Sequence, residues 1–284
     1  MHKYKNFSKI SMLPDNQVRN RLTGASPLIP LVRIKHQPIF WRFWDHNNAI
    51  VNSIAFNYFD LSRNKIMRAR AVSIREFLGL PENVLIFQLG IAQDDVLART
   101  KISKYISDAL YMGVNLIIPL DHSLYLLDNA SWRSTQIIRN VDKHHDIIRF
   151  LERKGFDAQK RLIPLVIGTD KDEIKLSFKL LVIENGFTLA AFNVGFWLRM
   201  KYYRNIYAFI NLCAENDVIP IIINAGAKNI LWLSSLNSRI KHITHYPVLE
   251  SLRSHSRIFR PPREIILEII NCLNSNPKQL VLGY

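Results

Sequence analysis

Leu162-Ile163-Pro164-Leu165-Val166-Ile167, then Gly168-Thr169-Asp170, then a helical pattern from Ile174 to Ile183 that stops at Asn185-Gly186, then Leu189-Ala190-Ala191-Phe192-Asn193-Val194: this stretch reads strand, cap, helix, stop, strand. Neither apolar run alternates as a strand with one wet face would. Continuous apolar character is what a strand covered on both faces needs, the situation in a parallel sheet flanked by helices. Asp170 suits the helix N-cap, since its carboxylate can accept from the unpaired N–H groups of the first turn.

The same unit recurs on either side. Upstream lie Leu28-Ile29-Pro30-Leu31-Val32, Ala49 to Ile54, Val84 to Phe87 and Leu116 to Leu120; downstream lie Val218 to Ile223 and a weaker run, His242 to Tyr246. Helical patterns fill the gaps. Ile102, Ile106 and Leu110 line one, closed by Gly113. A longer one, capped by Ser131, carries Ile137, Ile138, Val141, His145, Ile148 and Leu151 on one face. Leu198 to Ala214, Lys228 to Leu236 and a terminal helix from Pro262 through Leu273 complete the set. Strand–helix repetition with about eight strands predicts an α/β fold, a (β/α)8 TIM-like barrel forming a single domain. The expected boundaries are an N-terminal arm over 1–25 and the barrel over 26–284. The basic, aromatic segment 40–73, with Trp41 and Trp44 flanking Arg42, lacks a crossover helix and reads as an elaborated loop or hairpin.

Charge narrows the partners. In 284 residues, 38 Lys plus Arg stand against 23 Asp plus Glu, a net charge of +15 that attracts polyanions at long range. The basic residues cluster. Arg63, Lys65, Arg68 and Arg70 form one group, and Arg239, Lys241, Arg253, Arg257, Arg260 and Arg263 another, its last three around Pro261-Pro262. These are the expected phosphate contacts. No apolar run reaches the roughly 18 residues of a membrane span, and the N-terminus has no apolar core of a signal peptide; a cytoplasmic protein without a membrane partner is expected. Cys213 and Cys272 sit in apolar periodic segments and read as buried hydrophobes. His144 and His145 are adjacent within a helix and have no third ligand at metal spacing. Neither a metal nor a cofactor is expected. Phosphate-loop, dinucleotide-fold, hydrolase-elbow and zinc-protease motifs are absent from the sequence.

In a barrel, the residues just after each strand form the functional face. Here these are Gln88 and Gly90, Asp121-His122, Gly168-Thr169-Asp170, Asn193 to Gly195, Asn224-Ala225-Gly226 and His245. A carboxylate, amides and glycine backbone around one opening suit a flat, hydrogen-bonded heterocycle. Asp121 ends its apolar run directly and is the sharpest candidate; the competing reading is a turn or helix cap. Asp170 reads as a cap first.

Several of these segments resemble the tRNA-guanine transglycosylase superfamily. Ser26 to Pro30 is similar to its opening strand, and Ser73-Ile74-Arg75-Glu76-Phe77-Leu78-Gly79-Leu80 with Val84 to Gly90 to the lead into its first active-site strand. Gly113 to Asp121 looks like the strand ending in a base-recognising aspartate, and Ala191 to Gly195 like the glycine-bearing strand against which the base packs. The resemblance covers about Ser26 to Tyr246. It implies a (β/α)8 barrel that exchanges guanine for a 7-deazaguanine-type base in tRNA or DNA. By the resemblance Asp121 would bind the base, with Asn193 and Gly195 beside it. The family's nucleophilic aspartate has no match after the last strand, where Glu250 is the nearby acid and the candidate nucleophile. The rim residues Gln88, Gly90, His122, Gly168 and Thr169 would complete the base site, Gly168 or Thr169 standing where the family has a glutamine. The sequence departs from the family where no carboxylate stands near Phe87 to Gly90, and where the three-cysteine, one-histidine zinc site is missing. A second reading follows from those departures: a catalytically silent barrel that binds nucleic acid, as a homodimer or beside a catalytic partner subunit.

Overall fold

Eight short strands carry the architecture: β1 (Leu28–Val32), β2 (Ser53–Asn57), β3 (Leu85–Leu89), β4 (Leu116–Ile117), β5 (Leu165–Val166), β6 (Leu189–Asn193), β7 (Ile219–Ile223) and β8 (Lys241–His245). A computed structural model describes residues 14–23, 26–32, 44–45, 48–49, 52–62, 73–92, 94–120, 124, 128–245 and 271. The strands form one all-parallel sheet in the order β4-β3-β2-β1-β8-β7-β6-β5. The sheet is curled. Its two outer strands approach each other through a parallel bridge between Ile117 and Leu162, where the Ile163 N–H donates to the Ile117 carbonyl at 2.9 Å. This is an α/β fold of the TIM-like kind.

Both faces of the sheet are buried, which accounts for the unbroken apolar runs. On the inner face, Ile29, Leu31, Phe87, Ala191, Ile221 and Ile243 join one cluster drawn from successive strands. On the outer face, Leu28, Phe56, Ile86, Val166, Phe192 and Ile222 pack under the helices. A fully buried side chain of this size contributes about 1.5–3 kcal/mol. The alternation of period two therefore sorts residues between core layers rather than between core and water.

The helices are α1 (Asp15–Thr23), α2 (Tyr58–Ser62), α3 (Ile74–Leu78), α4 (Asp94–Arg99), α5 (Ile102–Tyr111), α6 (Ala130–Arg153), α7 (Ala158–Arg161), α8 (Lys171–Phe178), α9 (Gly195–Arg199), α10 (Tyr203–Glu215) and α11 (Ala227–Leu236). Local chemistry fixes several ends. Ser73 and Glu76 form a reciprocal capping box that starts α3. Asp170 accepts from the N–H groups of Asp172 and Glu173, the expected cap, and α8 continues into a π-helical turn over Lys179–Ile183. The cap of α6 is Asn129, two residues before the expected Ser131. Its buried face runs through Ile137, Val141, His144, Ile147 and Leu151, while Ile138 is exposed; the expected face was rotated by about one residue.

Two features differ from the expected organisation. The second strand lies at Ser53–Asn57, later than the expected Ala49 to Ile54, and Asn48–Ala49 instead pairs antiparallel with Trp44–Asp45. That two-residue pair falls in the segment read as a loop or hairpin. Secondly, α1 lies in the stretch expected to be an arm, yet Val18 and Leu22 enter the inner apolar cluster. Polar bonds seat it at the N-terminal ends of the strands. Arg161, buried just before β5, donates from Nε to Asp15 at 2.6 Å and from Nη1 to the Asn115 carbonyl at 3.3 Å. The Asp157 N–H also donates to Asp15, and Arg21 donates to the Glu82 carbonyl. With that end occupied, the C-terminal rim is where a ligand would enter.

Candidate functional site

At the C-terminal end of β6, the inner-face alternation of Leu189 and Ala191 brings Asn193 to the rim, where it is exposed. Its Oδ1 accepts from the Gly195 N–H at 3.2 Å and from Nδ2 of Asn224 at 3.1 Å. Asn224 follows β7 with φ +63°, a left-handed conformation that asparagine adopts more readily than most residues. Its own N–H donates to the Ile243 carbonyl at 3.0 Å, anchoring it to β8. Gly195 makes the arrangement possible: a Cβ there would lie 3.1 Å from the Cβ of Asn224. Two sequence-distant amides and one backbone N–H are thus locked together. The enclosed Oδ1 of Asn224 has no partner among the described residues.

A second polar junction ties β2 to β3. Asn57 donates from Nδ2 to the Ile91 carbonyl at 2.8 Å and accepts at Oδ1 from the N–H groups of Ile91 and Phe59. It fixes the loops after two neighbouring strands. Strand-end asparagine was the available signal for Asn57 and Asn224, and only Asn224 was placed on the rim from sequence.

Other expected base contacts face elsewhere. Gln88 lies on the outer face of β3, fully buried, with Nε2 donating to the Tyr105 carbonyl at 3.3 Å. It turns away from the opening because Leu85, Phe87 and Leu89 take the inward positions. Gly90 is buried against Leu120, whose Cδ2 would be 1.8 Å from a Cβ at that position. Gly168 packs on the first turn of α8, with the Ile174 nitrogen 2.5 Å from where its Cβ would stand. Thr169 is buried and donates from both N–H and Oγ1 to Glu173 at 2.8 Å. Glu173 also accepts from Nε of Arg133 at 2.7 Å, and this partner raises the Arg133 pKa. The Thr169 carbonyl accepts from Asn205. This network fastens β5, α6, α8 and α10 together.

Two expected phosphate contacts lie at the opposite end. Arg239, between α11 and β8, pairs with Asp217 just before β7. Lys241 opens β8, is buried, and has its pKa lowered by desolvation. Neither reaches the rim. Asp121, His122 and Glu250 lie outside the described residues, as do Arg63, Lys65, Arg68, Arg70, Arg253, Arg257, Arg260 and Arg263.

Buried titratable groups are core elements. His144 packs edge-on against Phe187, and burial with His145 nearby pushes its pKa down to about 3. His242 faces Ser234, Oγ to Nε2 at 2.8 Å, and complete burial beside Lys241 takes it down to about 3 as well. Burial pushes the Cys213 thiol up. Among the described residues, no group of three His, Cys, Asp or Glu could hold a metal ion, and no helix is long and apolar enough to cross a membrane.

Fold and rim together define an α/β protein of the TIM-like kind with an amide-lined edge at its C-terminal side. No family model matches the chain, and no curated protein matches it significantly.

Proposed function

We propose that this protein acts on a base within nucleic acid, as a transglycosylase-like enzyme that exchanges a guanine-type base for a 7-deazaguanine in tRNA or DNA. The observation that carries the reading is the Asn193 amide, exposed at the rim and braced by Gly195 and Asn224. With Oδ1 held by its two braces, the fixed amide turns its Nδ2–H donors outward, toward an acceptor on the edge of a heterocycle. The net charge of +15 supports a polyanionic partner. In this reading the curled sheet is a closed, single-domain (β/α)8 barrel whose strand-end loops carry the chemistry. Asp121, directly after the β4 run, binds the base. Glu250 attacks C1′, the N-glycosidic bond breaks, and the departing base keeps the bonding pair and takes up a proton. The incoming base loses a proton and displaces the carboxylate from C1′. Extruding the target base from its stack costs a few kcal/mol.

One observation favours a second reading, a silent nucleic-acid binder working as a homodimer or beside a catalytic subunit. The carboxylates that follow β5, Asp170 and Glu173, are engaged by the α8 cap, Thr169 and Arg133. The test is incorporation of labelled guanine or 7-deazaguanine into tRNA and DNA, beside binding titrations across salt. Exchange that Asp121→Ala abolishes, with the circular dichroism spectrum intact, supports the enzyme. Undiminished exchange in that variant ends the Asp121 assignment. Steep salt-dependent binding by the parent without exchange establishes the binder.

A further inference from the structure

Between Asn185 and Leu249 the chain holds only two acids, Glu215 and Asp217, against six Lys or Arg. Both acids fall where α10 ends and β7 is about to begin, at the N-terminal end of the sheet. Three of the cations, Arg199, Lys201 and Arg204, are exposed in the connection from β6 into the first turn of α10, on the rim side beside Asn193. In this sector the acids are therefore confined to the N-terminal end of the sheet, where Arg239 pairs with Asp217, and the rim side carries cations alone.

Large apolar side chains are exposed in the same place. Phe196 is 45% exposed, Met200 48%, Tyr203 40% and Tyr207 39%. Tyr203 and Tyr207, one turn apart on α10, meet Trp232 of α11 edge-on at 5.4 and 5.7 Å between ring centres. Phe196 meets Trp197 edge-on at 4.9 Å, and the Arg204 guanidinium lies over Tyr202 at 5.7 Å. Exposed aromatic rings with cations interleaved, in a stretch with no acid from Gly186 to Ala214, are what a single nucleic-acid strand requires. Bases stack on the rings regardless of sequence, and the cations follow the phosphates. Protein–protein interfaces also favour aromatic residues, Met and Arg; the excess of cations over acids, Lys201 included, is what selects a polyanion here.

We propose that Phe196, Tyr203, Tyr207 and Trp232, with Arg199, Lys201 and Arg204, form a binding track for single-stranded nucleic acid leading to the Asn193 rim. The proposal rests on the nucleic-acid part of the function proposed above and not on its chemistry. It also names a different surface from the basic clusters conspicuous in the sequence.

Quenching of tryptophan fluorescence by oligo(dT) and oligo(U), titrated from low to moderate salt, tests it on the full chain. Tyr203→Ala and Tyr207→Ala each weaken binding roughly five- to a hundredfold, with the salt slope unchanged. Arg199→Ala and Lys201→Ala each flatten the slope of log affinity against log salt by about 0.7. Arg199 and Lys201 are exposed, so their variants keep the parent urea midpoint. The tyrosine variants lose packing on Trp232, and binding measured well below each variant's own midpoint separates lost binding from lost folding. Parent-like affinity in both tyrosine variants overturns the track. So does variant-sensitive quenching by phosphatidylserine vesicles but not by oligonucleotides, which would make the surface a membrane contact. A concentration-dependent mass doubling that Phe196→Ala removes, without oligonucleotide binding, would assign the surface to a second copy. Strand binding without base exchange upholds the track and removes only the transglycosylase chemistry.

Discussion

His144 and His242 make this fold sensitive to mild acid, and the effect can be worked from their surroundings. Each is buried, and each is pushed down to about 3, whereas a histidine in the unfolded chain titrates near 6.5. Above that value both states are neutral and stability is unaffected. As pH falls below it, the unfolded chain takes up protons that the folded protein refuses, so stability declines from pH 6.5 down towards 3. At pH 5 an unfolded imidazole is almost fully protonated, which lowers stability by about 2 kcal/mol per histidine and about 4 kcal/mol for the pair. A domain with a total of roughly 5–15 kcal/mol would feel that strongly. The assay is urea unfolding at pH 7.5 and pH 5, comparing the parent with His144→Leu. The Nε2 of His144 has no partner among the described residues, so the apolar replacement strands no donor or acceptor there. The variant should lose about 2 kcal/mol less than the parent on acidification. Any packing defect cancels, since each protein is compared with itself. An identical acid loss in parent and variant would refute the reasoning.

Two further outcomes test the scaffold. Gly168→Ala places a methyl carbon 2.5 Å from the Ile174 backbone nitrogen, so a loss of several kcal/mol in urea unfolding is expected; Gly155→Ala, with open space around it but φ +79°, should lose only about 1–2 kcal/mol. Arg161→Met removes the buried partner of Asp15 and should destabilise by about 3–5 kcal/mol. Adding Asp15→Asn should recover part of that loss, and strictly additive effects would show that the pair is not coupled.

The strand runs were legible because burial on both faces leaves an unbroken apolar signature, and Asp170, Gly113 and Gly186 marked helix ends for straightforward reasons of capping and left-handed backbone. Registers were harder to read. A run such as Ala49 to Ile54 does not reveal where pairing begins, and β2 starts only at Ser53, a polar residue that is wholly buried. The rim was half legible. Asn193 and Gly195 follow from position and alternation, but Gln88 does not, because its run cannot say which parity faces inward. Gly168 and Thr169 do follow their strand as read, but Gly168 packs on the first turn of α8 and Glu173 draws Thr169 into a helix-packing network, contacts that no local pattern announces. Nor did composition identify α1, where Val18 and Leu22 stand alone among polar residues and find their apolar surroundings only through the tertiary fold.

The neighbour of β1 on one side is β2, but on the other it is β8, with Leu28 opposite His242. A ribosome must therefore make almost the entire sheet before that second edge can be covered. Until then the nascent chain displays an unpaired, wholly apolar strand, the kind of edge that recruits other chains. Loop closure over so great a separation is also slow. Synthesis in cells should accordingly depend on chaperone holding until the β8 segment emerges, and truncation ahead of it should yield insoluble protein.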